Sequence, residues 1–369
     1  MGHDRRTLAR TGAGGDALRP LTVLSIGYPL AAVGPDAVGG SEQVLSALDR
    51  ALVAAGHRSI VIACEGSRVQ GELWSYPAPP TGRPIDRAVH MAGQAAIRDA
   101  TAAVLRQAPV DLVHMHGLDF FDCLPPPGPP MLATLHLPPD WYPADALDPP
   151  RSDAWVHCVS DSQMRRCPVS ARMLAPIPNG VPVAELGAVR RRRCGYALML
   201  ARVCPEKGLH LALDAARAAG SALLLGGAVF PYEAHEAYFR HEVAPRLDRR
   251  RRYLGPVGFA HKRRLLAGAR CLLVPSLVAE TSSLVAMEAA ACGTPVIAFR
   301  SGALPEVVED GRTGFLVDDT AGMADAIRRA GAIDPDVCRA TARRRFSIER
   351  MVGAYFDRYR MLAGVAATA

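Results

Sequence analysis

Short apolar runs alternate along most of the chain with longer stretches in which apolar positions recur at helical spacing. Runs rich in Val, Ile and Leu, bounded by Gly, Pro or Asn, predict strands buried on both faces, and their alternation with helical patterns predicts parallel βαβ units. In the first half the predicted strands are 21–27, 59–63, 112–115, 131–136 and 155–160, with helices over 41–55 and 85–106. Residues 176–195 break the pattern with prolines, Asn179-Gly180 and four consecutive arginines, a composition suited to a linker. The alternation then resumes with strands 197–201, 222–225, 253–254, 271–275, 294–299 and 313–317 and helices 208–219, 261–269 and 284–292, and 321–362 is mostly helical. This predicts an α/β chain of two doubly wound, Rossmann-like domains facing a cleft, with ligands at the carboxyl ends of the strands. The expected division is a disordered tail 1–19, a first domain 20–178, a linker 179–195, a second domain 196–346 and a closing helix 347–369.

Composition narrows the picture. With 49% apolar and 21% charged residues, the 369-residue chain is ordinary for a globular protein. No apolar run reaches the roughly 20 residues of a membrane helix; the longest candidate, 271–299, contains Glu280, Glu288 and two prolines. The pattern predicts no membrane-spanning helix and is compatible with peripheral membrane contact. The first residues are basic without the apolar core of a signal peptide. Nine scattered cysteines, with no C-x-x-C pair and no Cys/His cluster at zinc spacing, read as reduced thiols of a cytoplasmic protein. The net charge of +7 is uneven: residues 1–185 sum to −3 and the remainder to +10. Without a zinc finger, a helix-turn-helix or an aromatic-rich basic face, nucleic acid is not expected as a partner; a basic half also suits one small polyanion such as a nucleotide diphosphate. Lys207 and Lys262 are the only lysines.

Four places carry candidate chemistry. Glu280-x7-Glu288 puts one glutamate in the loop after a strand and the other a turn inside the next helix, so both can face the crevice. The N–H groups of Ser282, Ser283 and Leu284 lie at that helix N-terminus, where anions are favoured. Glu288 sits among Ala, Met and Val and needs a partner, which ribose hydroxyls would provide. The competing reading makes Glu280 a helix-terminal carboxylate and pairs Glu288 with an arginine. Arg202-x4-Lys207 follows the first strand of the second domain, where two cations could neutralise a diphosphate, or form a surface pair on a turn. A lysine in so arginine-rich a chain hints that a compact ammonium is wanted there. Gly39-Gly40-Ser41-Glu42 opens a helix, allowing close backbone approach to a ligand, or serving as a plain helix start capped by Ser41. His114, His116 and His136 lie at strand ends and are expected at the cleft edge, with His136 the first choice. Asp334-Pro335-Asp336 reads as a helix start, with no metal assigned.

The order and spacing of these segments resemble the retaining nucleotide-sugar glycosyltransferases of family 4, with the GT-B fold. The likeness runs from about Leu21 to the final helix and is carried by GGSE (39–42), TLH (134–136), CVSDS (158–162), PNGV (178–181), ARVCPEKG (201–208), LLLGG (223–227), YLGPV (253–257), the E-x7-E block and SGALPEVVEDGRTGFLV (301–317). The resemblance implies an acceptor-binding first domain, a nucleotide-binding second domain and a final helix that crosses back onto the first. It implies that Gly39 and Gly40 lie against the donor phosphates, that Arg202 and Lys207 neutralise the leaving diphosphate, that Glu288 binds ribose, and that Glu280 with Thr281, Ser282, Ser283 and Leu284 holds the donor sugar. Val257 would line the nucleotide site, and His136 would sit beside the transferred sugar. The implied reaction is transfer of a sugar from a nucleoside diphosphate sugar, UDP favoured, to the hydroxyl of a small molecule or glycan in natural-product or polysaccharide biosynthesis. Retention of configuration is implied, with no metal or other cofactor. A non-catalytic sugar-nucleotide-binding protein and an inverting transferase or epimerase remain alternatives on the same scaffold. Family members often carry a Phe-Gly pair where this chain has Ser282 and Ser283. The Pro-rich stretch 124–150, with Trp141 and Tyr142, does not align with the pattern and specifies no acceptor.

Overall fold

The computed structural model describes residues 19–80, 85–189 and 191–365; the expected tail lies almost wholly outside them. Two all-parallel sheets organise the chain. The first contains β1 (Thr22–Ile26), β2 (Arg58–Cys64), β3 (Glu72–Tyr76), β4 (Leu112–Met115), β5 (Met131–Leu135), β6 (Ala154–Cys158) and β7 (Met173–Leu174), ordered β3-β2-β1-β4-β5-β6-β7. The second contains β8 (Tyr196–Leu200), β9 (Ala222–Gly226), β10 (Arg251–Tyr253), β11 (Cys271–Val274), β12 (Val296–Phe299) and β13 (Gly314–Val317), ordered β10-β9-β8-β11-β12-β13. Helices α1 (Gly40–Ala54), α2 (Arg87–Gln107), α3 (Asp161–Met164) and α4 (Val183–Gly187) accompany the first half. The second half carries α5 (Leu209–Ala218), α6 (Glu233–Tyr238), α7 (Phe259–Gly268), α8 (Leu284–Cys292), α9 (Leu304–Val307), α10 (Thr320–Arg329), α11 (Pro335–Arg345) and α12 (Ile348–Leu362).

Central strands are apolar on both faces because helices cover both: β5 is buried throughout, and β2 after Arg58. The edge strands β3 and β7 escape the sequence pattern because one is half-exposed and the other has only two residues. In each sheet the strand order reverses between the first strand and its second neighbour, at β1/β4 and at β8/β11. Such switch points open a crevice at the carboxyl ends of the strands, so the loops after β1, β4, β8 and β11 are the ones placed to meet a ligand.

The stretch read as a linker holds α4, whose Leu186 is fully buried in the core beside α8. Just before it, Val181 N–H donates to Phe346 O and Val181 O accepts from Ile348 N–H, tying this crossing to the start of α12. α12 packs Met351, Tyr355 and Tyr359 into the first domain against Leu21, Val23, Val44, Leu48 and Leu132. Asp334 caps α11 by accepting the Asp336 N–H, with Pro335 at the first helical position, which accounts for the D-x-D.

Candidate active site

The strand ends of both sheets open into one cavity of about 740 Å³ between the domains. On its C-terminal wall the chain leaves β11 and passes through Glu280 before α8 begins. The loop is fixed from behind: Glu280 O accepts the Ala303 N–H at 2.7 Å, and Gly302, at φ +55, lies so close that a Cβ would sit 2.2 Å from that oxygen. The Glu280 carboxylate takes Lys207 Nζ at 2.5 Å. A turn inside α8, Glu288 takes Lys262 Nζ, from α7, at 2.5 Å. The two lysines of the chain therefore each carry one glutamate of the E-x7-E block. Burial pushes the Glu280 carboxyl up, but Lys207, Ser276 and Arg202 more than offset this and hold it below its ordinary value.

α8 begins on unusual backbone. Ser283 is the one non-glycine among the described residues with left-handed geometry (φ 72, ψ 72), and it makes no side-chain cap. The N–H groups of the first turn have no intrahelical partners, and Ser283, Leu284 and Val285 line the cavity. Across the cleft α1 begins at Gly40, where a Cβ would lie 3.3 Å from Leu284 Cδ1. Two helix N-termini thus meet at the cavity, each presenting partial positive charge to an anion. Arg202 lines the same space and helps hold Glu280 ionised, whereas burial raises the Glu42 carboxyl despite its backbone and Ser41 hydrogen bonds and the Arg202 charge.

The N-terminal wall is neutral by comparison. The rings of His116 and His136 stack with centroids 5.3 Å apart, and Nδ1 of the first lies 3.1 Å from Nε2 of the second. Burial holds His136 down at about 3; burial, with the neighbouring histidines, holds His116 well below its ordinary value. Both imidazoles are therefore uncharged hydrogen-bonding groups at neutral pH. The His136 loop is fixed by Tyr142, whose hydroxyl accepts the N–H of His136 at 3.0 Å and of Leu137 at 3.2 Å. Thr281 Oγ1 donates to His136 O at 2.8 Å and joins the two walls. Besides His235 Nδ1, three buried polar atoms of cavity-lining residues, His116 Nε2, Asn179 Oδ1 and Ser282 Oγ, have no partner among the described residues. Buried polar groups ordinarily have partners, so these suit the hydroxyls of a ligand.

The structure brings together in this one cavity every residue singled out for catalysis or donor binding: Gly39, Gly40, His136, Arg202, Lys207, Val257, Glu280, Thr281, Ser282, Ser283, Leu284 and Glu288. His114 is not at the cleft edge. It is fully buried in β4, 2.7 Å from Tyr359 Oη on one side and 2.7 Å from Thr134 Oγ1 on the other, and it ties α12 to the sheet. Ser41 does not cap α1; Gly39 holds that position without a side-chain bond, and Ser41 Oγ donates to Glu42 Oε1 at 3.0 Å. Glu280 lies ahead of the helix, not in its first turn, and the partner of Glu288 is a lysine, not an arginine. Sequence reasoning missed Lys262, although the scarcity of lysine that pointed to Lys207 applies equally to it. It also gave no role to Tyr142, which lies in the unaligned Pro-rich stretch.

Two family models match the chain: "Glycosyltransferase Family 4" over residues 38–185 and "Glycosyl transferases group 1" over 195–331. Among curated relatives, the D-inositol 3-phosphate glycosyltransferase of Saccharomonospora viridis is 41% identical over 117 residues, covering 30% of this chain and 27% of that protein. The enzyme of the same name from Mycobacterium bovis is 39% identical over 121 residues, covering 30% and 25%. The matched stretch thus spans about a quarter of each of these relatives. Among solved structures, AviGT4, a glycosyltransferase involved in avilamycin A biosynthesis, superposes with a TM-score of 0.70 at 25% identity, covering 94% of this chain and 99% of that one. Anabaena HepE in complex with UDP-glucose gives 0.69 at 17% identity, covering 92% and 100%. With both domains matched in sequence and the whole architecture matched in space, the chain belongs to the family 4-like glycosyltransferases of the GT-B fold.

Proposed function

We propose that the protein moves a sugar from a nucleoside diphosphate sugar to a hydroxyl of a small-molecule or glycan acceptor, with retention at the anomeric carbon. The observation that carries this reading is the meeting of two helix N-termini, α1 and α8, in a cavity that also holds Arg202 and Lys207. Negative charge grows on the departing diphosphate, and fixed donors aimed at developing charge are usually the largest catalytic contribution. Arg202, Lys207 and the α8 N-terminus would stabilise it without a divalent metal. Glu288 would hold ribose, and Glu280 the sugar hydroxyls. His136, uncharged, would accept or donate a hydrogen bond beside the sugar. Retention follows from attack on the face the diphosphate leaves, with its oxygen assisting deprotonation of the acceptor. A UDP-sugar is the first donor to test, since HepE, which shares the fold, is solved with UDP-glucose.

The test is kinetic. Binding to UDP-, GDP- and dTDP-sugars identifies the donor, after which Lys207→Ala and Glu288→Ala are each expected to lower turnover by roughly tenfold or more, about 1.4 kcal/mol of barrier. Near-normal kinetics in both variants overturns the assignment. NMR of the anomeric configuration of the product decides retention.

A further inference from the structure

The turn after β8 presents a second chemistry between its two cations. Cys204, buried at the end of an extended segment, and Glu206 both line the cavity wall, and His235 reaches the same place from α6. One potential ligand atom from each of the three lies within 4.8 Å of the others. His235 Nδ1 is buried and has no partner among the described residues. Its ring is steadied edge-on by Tyr232, with centroids 5.1 Å apart. Burial raises the Glu206 carboxyl, yet backbone hydrogen bonding, Cys204, His235 and Arg202 outweigh this and leave it below its ordinary value.

We propose that Cys204, Glu206 and His235 form a binding site for a thiophilic divalent cation of the zinc class, with one coordination position left open toward the cavity. A thiolate, an imidazole nitrogen and a carboxylate are a ligand set that zinc favours over magnesium or calcium, and three protein ligands with an open fourth position is the arrangement of accessible zinc sites. Bonds of 2.0–2.3 Å in a tetrahedron put ligand atoms roughly 3.5 Å apart, so the trio closes on an ion by a shift of about an ångström or less, within reach of side-chain rotation. On binding, the thiol gives its proton to solvent, and the cation meets two anionic ligands. The ligands come from two elements far apart in the chain, which is why no local spacing announces them. Its ligands share the cavity wall with Arg202 and Lys207 but are given no part in sugar transfer, and the site is read with metal alone.

The full chain, stripped with chelator and titrated with cobalt(II), is expected to develop a near-ultraviolet thiolate-to-cobalt charge-transfer band that saturates at one equivalent and is displaced by zinc. Cys204→Ser should abolish the band. His235→Ala, at the half-exposed ligand, should weaken zinc binding to a chromogenic competitor by roughly tenfold or more. Cys194→Ser, which removes the exposed thiol, should leave both readouts unchanged. Circular dichroism checks that each variant is folded, and if Cys204→Ser is not, the His235→Ala result decides. Absence of a thiolate band, its loss in Cys194→Ser, or unchanged zinc affinity in His235→Ala overturns the proposal.

Discussion

On the C-terminal wall of the cleft Glu280 and Glu288 each carry their own lysine, whereas the first domain holds four histidines uncharged, His114, His116 and His157 buried and His136 at the cavity surface. The charged wall faces the place where a diphosphate would sit, and an ion pair there keeps an ammonium in position before any ligand arrives. The neutral wall meets its polar needs with hydroxyls: Thr134 Oγ1 lies 2.7 Å from both His114 and His157 and 3.2 Å from Tyr355 Oη. Imidazoles in such a setting can orient sugar hydroxyls without attracting the departing anion. The two walls therefore divide the work by charge, and the division can be broken from either side.

Acid should strike the neutral wall first and hardest. The unfolded chain takes up protons at histidine near pH 6.5, while burial keeps the folded His136 and His157 near 3 and His114 and His116 well below their ordinary value. Below about pH 6.5 the unfolded state thus binds more protons, and stability falls by up to about 1.4 kcal/mol per pH unit for each such histidine. Glu280 acts in the same direction at lower pH, since its depressed value gives stability that is lost as pH falls through it. All three tryptophans, Trp74, Trp141 and Trp155, lie in the first domain. The denaturant midpoint followed by tryptophan fluorescence should therefore drop steeply between about pH 7 and pH 5. A flat midpoint would mean that the four imidazoles are not held neutral.

Next in size is the charged wall itself. Lys262→Met leaves the Glu288 carboxylate, only 5% exposed, without its partner, a change expected to cost about 3 kcal/mol. Adding Glu288→Leu should restore most of that stability while leaving donor binding impaired, because an apolar pair can replace a buried ion pair in the fold but not at a ribose. Thermal unfolding and donor titration of both variants separate these effects. If Lys262→Met melts like the parent protein, the pair is a contact without structural weight.

A smaller loss tests how the neutral wall is anchored. Tyr359→Phe removes the hydroxyl that meets His114 Nδ1 at 2.7 Å in a fully buried setting, with an expected cost of about 1–3 kcal/mol. Donor affinity should be unchanged, since the contact secures α12 against the first sheet and does not reach the cavity.

The charged wall was also the more legible one. Glu280, Glu288, Arg202 and Lys207 follow strands whose apolar runs are unmistakable, and the strand-to-helix corner alone dictates that they face the crevice. The neutral wall depends on pairings that no local spacing encodes. His114 and His116 are two residues apart and share one face of the sheet pattern, yet one is sealed by Tyr359 from the far end of the chain and the other reaches the cavity. The same holds for Tyr142, which acts by accepting the backbone N–H groups of His136 and Leu137, six and five residues upstream. Lys262 shows a different limit: its helix was expected, but which face it presents depends on how α7 lies against α8.

The smallest effect concerns the single strained residue at the junction of the walls. A non-glycine in left-handed geometry costs about 1–2 kcal/mol, part of which glycine gives back through its greater freedom when unfolded. Ser283→Gly should therefore stabilise the protein by about 0.5–1 kcal/mol. Glycine reaches the left-handed conformation of this position without steric cost, so the substitution keeps the backbone and removes only the side chain. If the α8 N–H groups alone hold the donor phosphate, the variant is more stable and binds donor as well as the parent. A loss of donor affinity alongside the gain in stability would instead assign the Ser283 hydroxyl to the ligand, and make the strain part of the site.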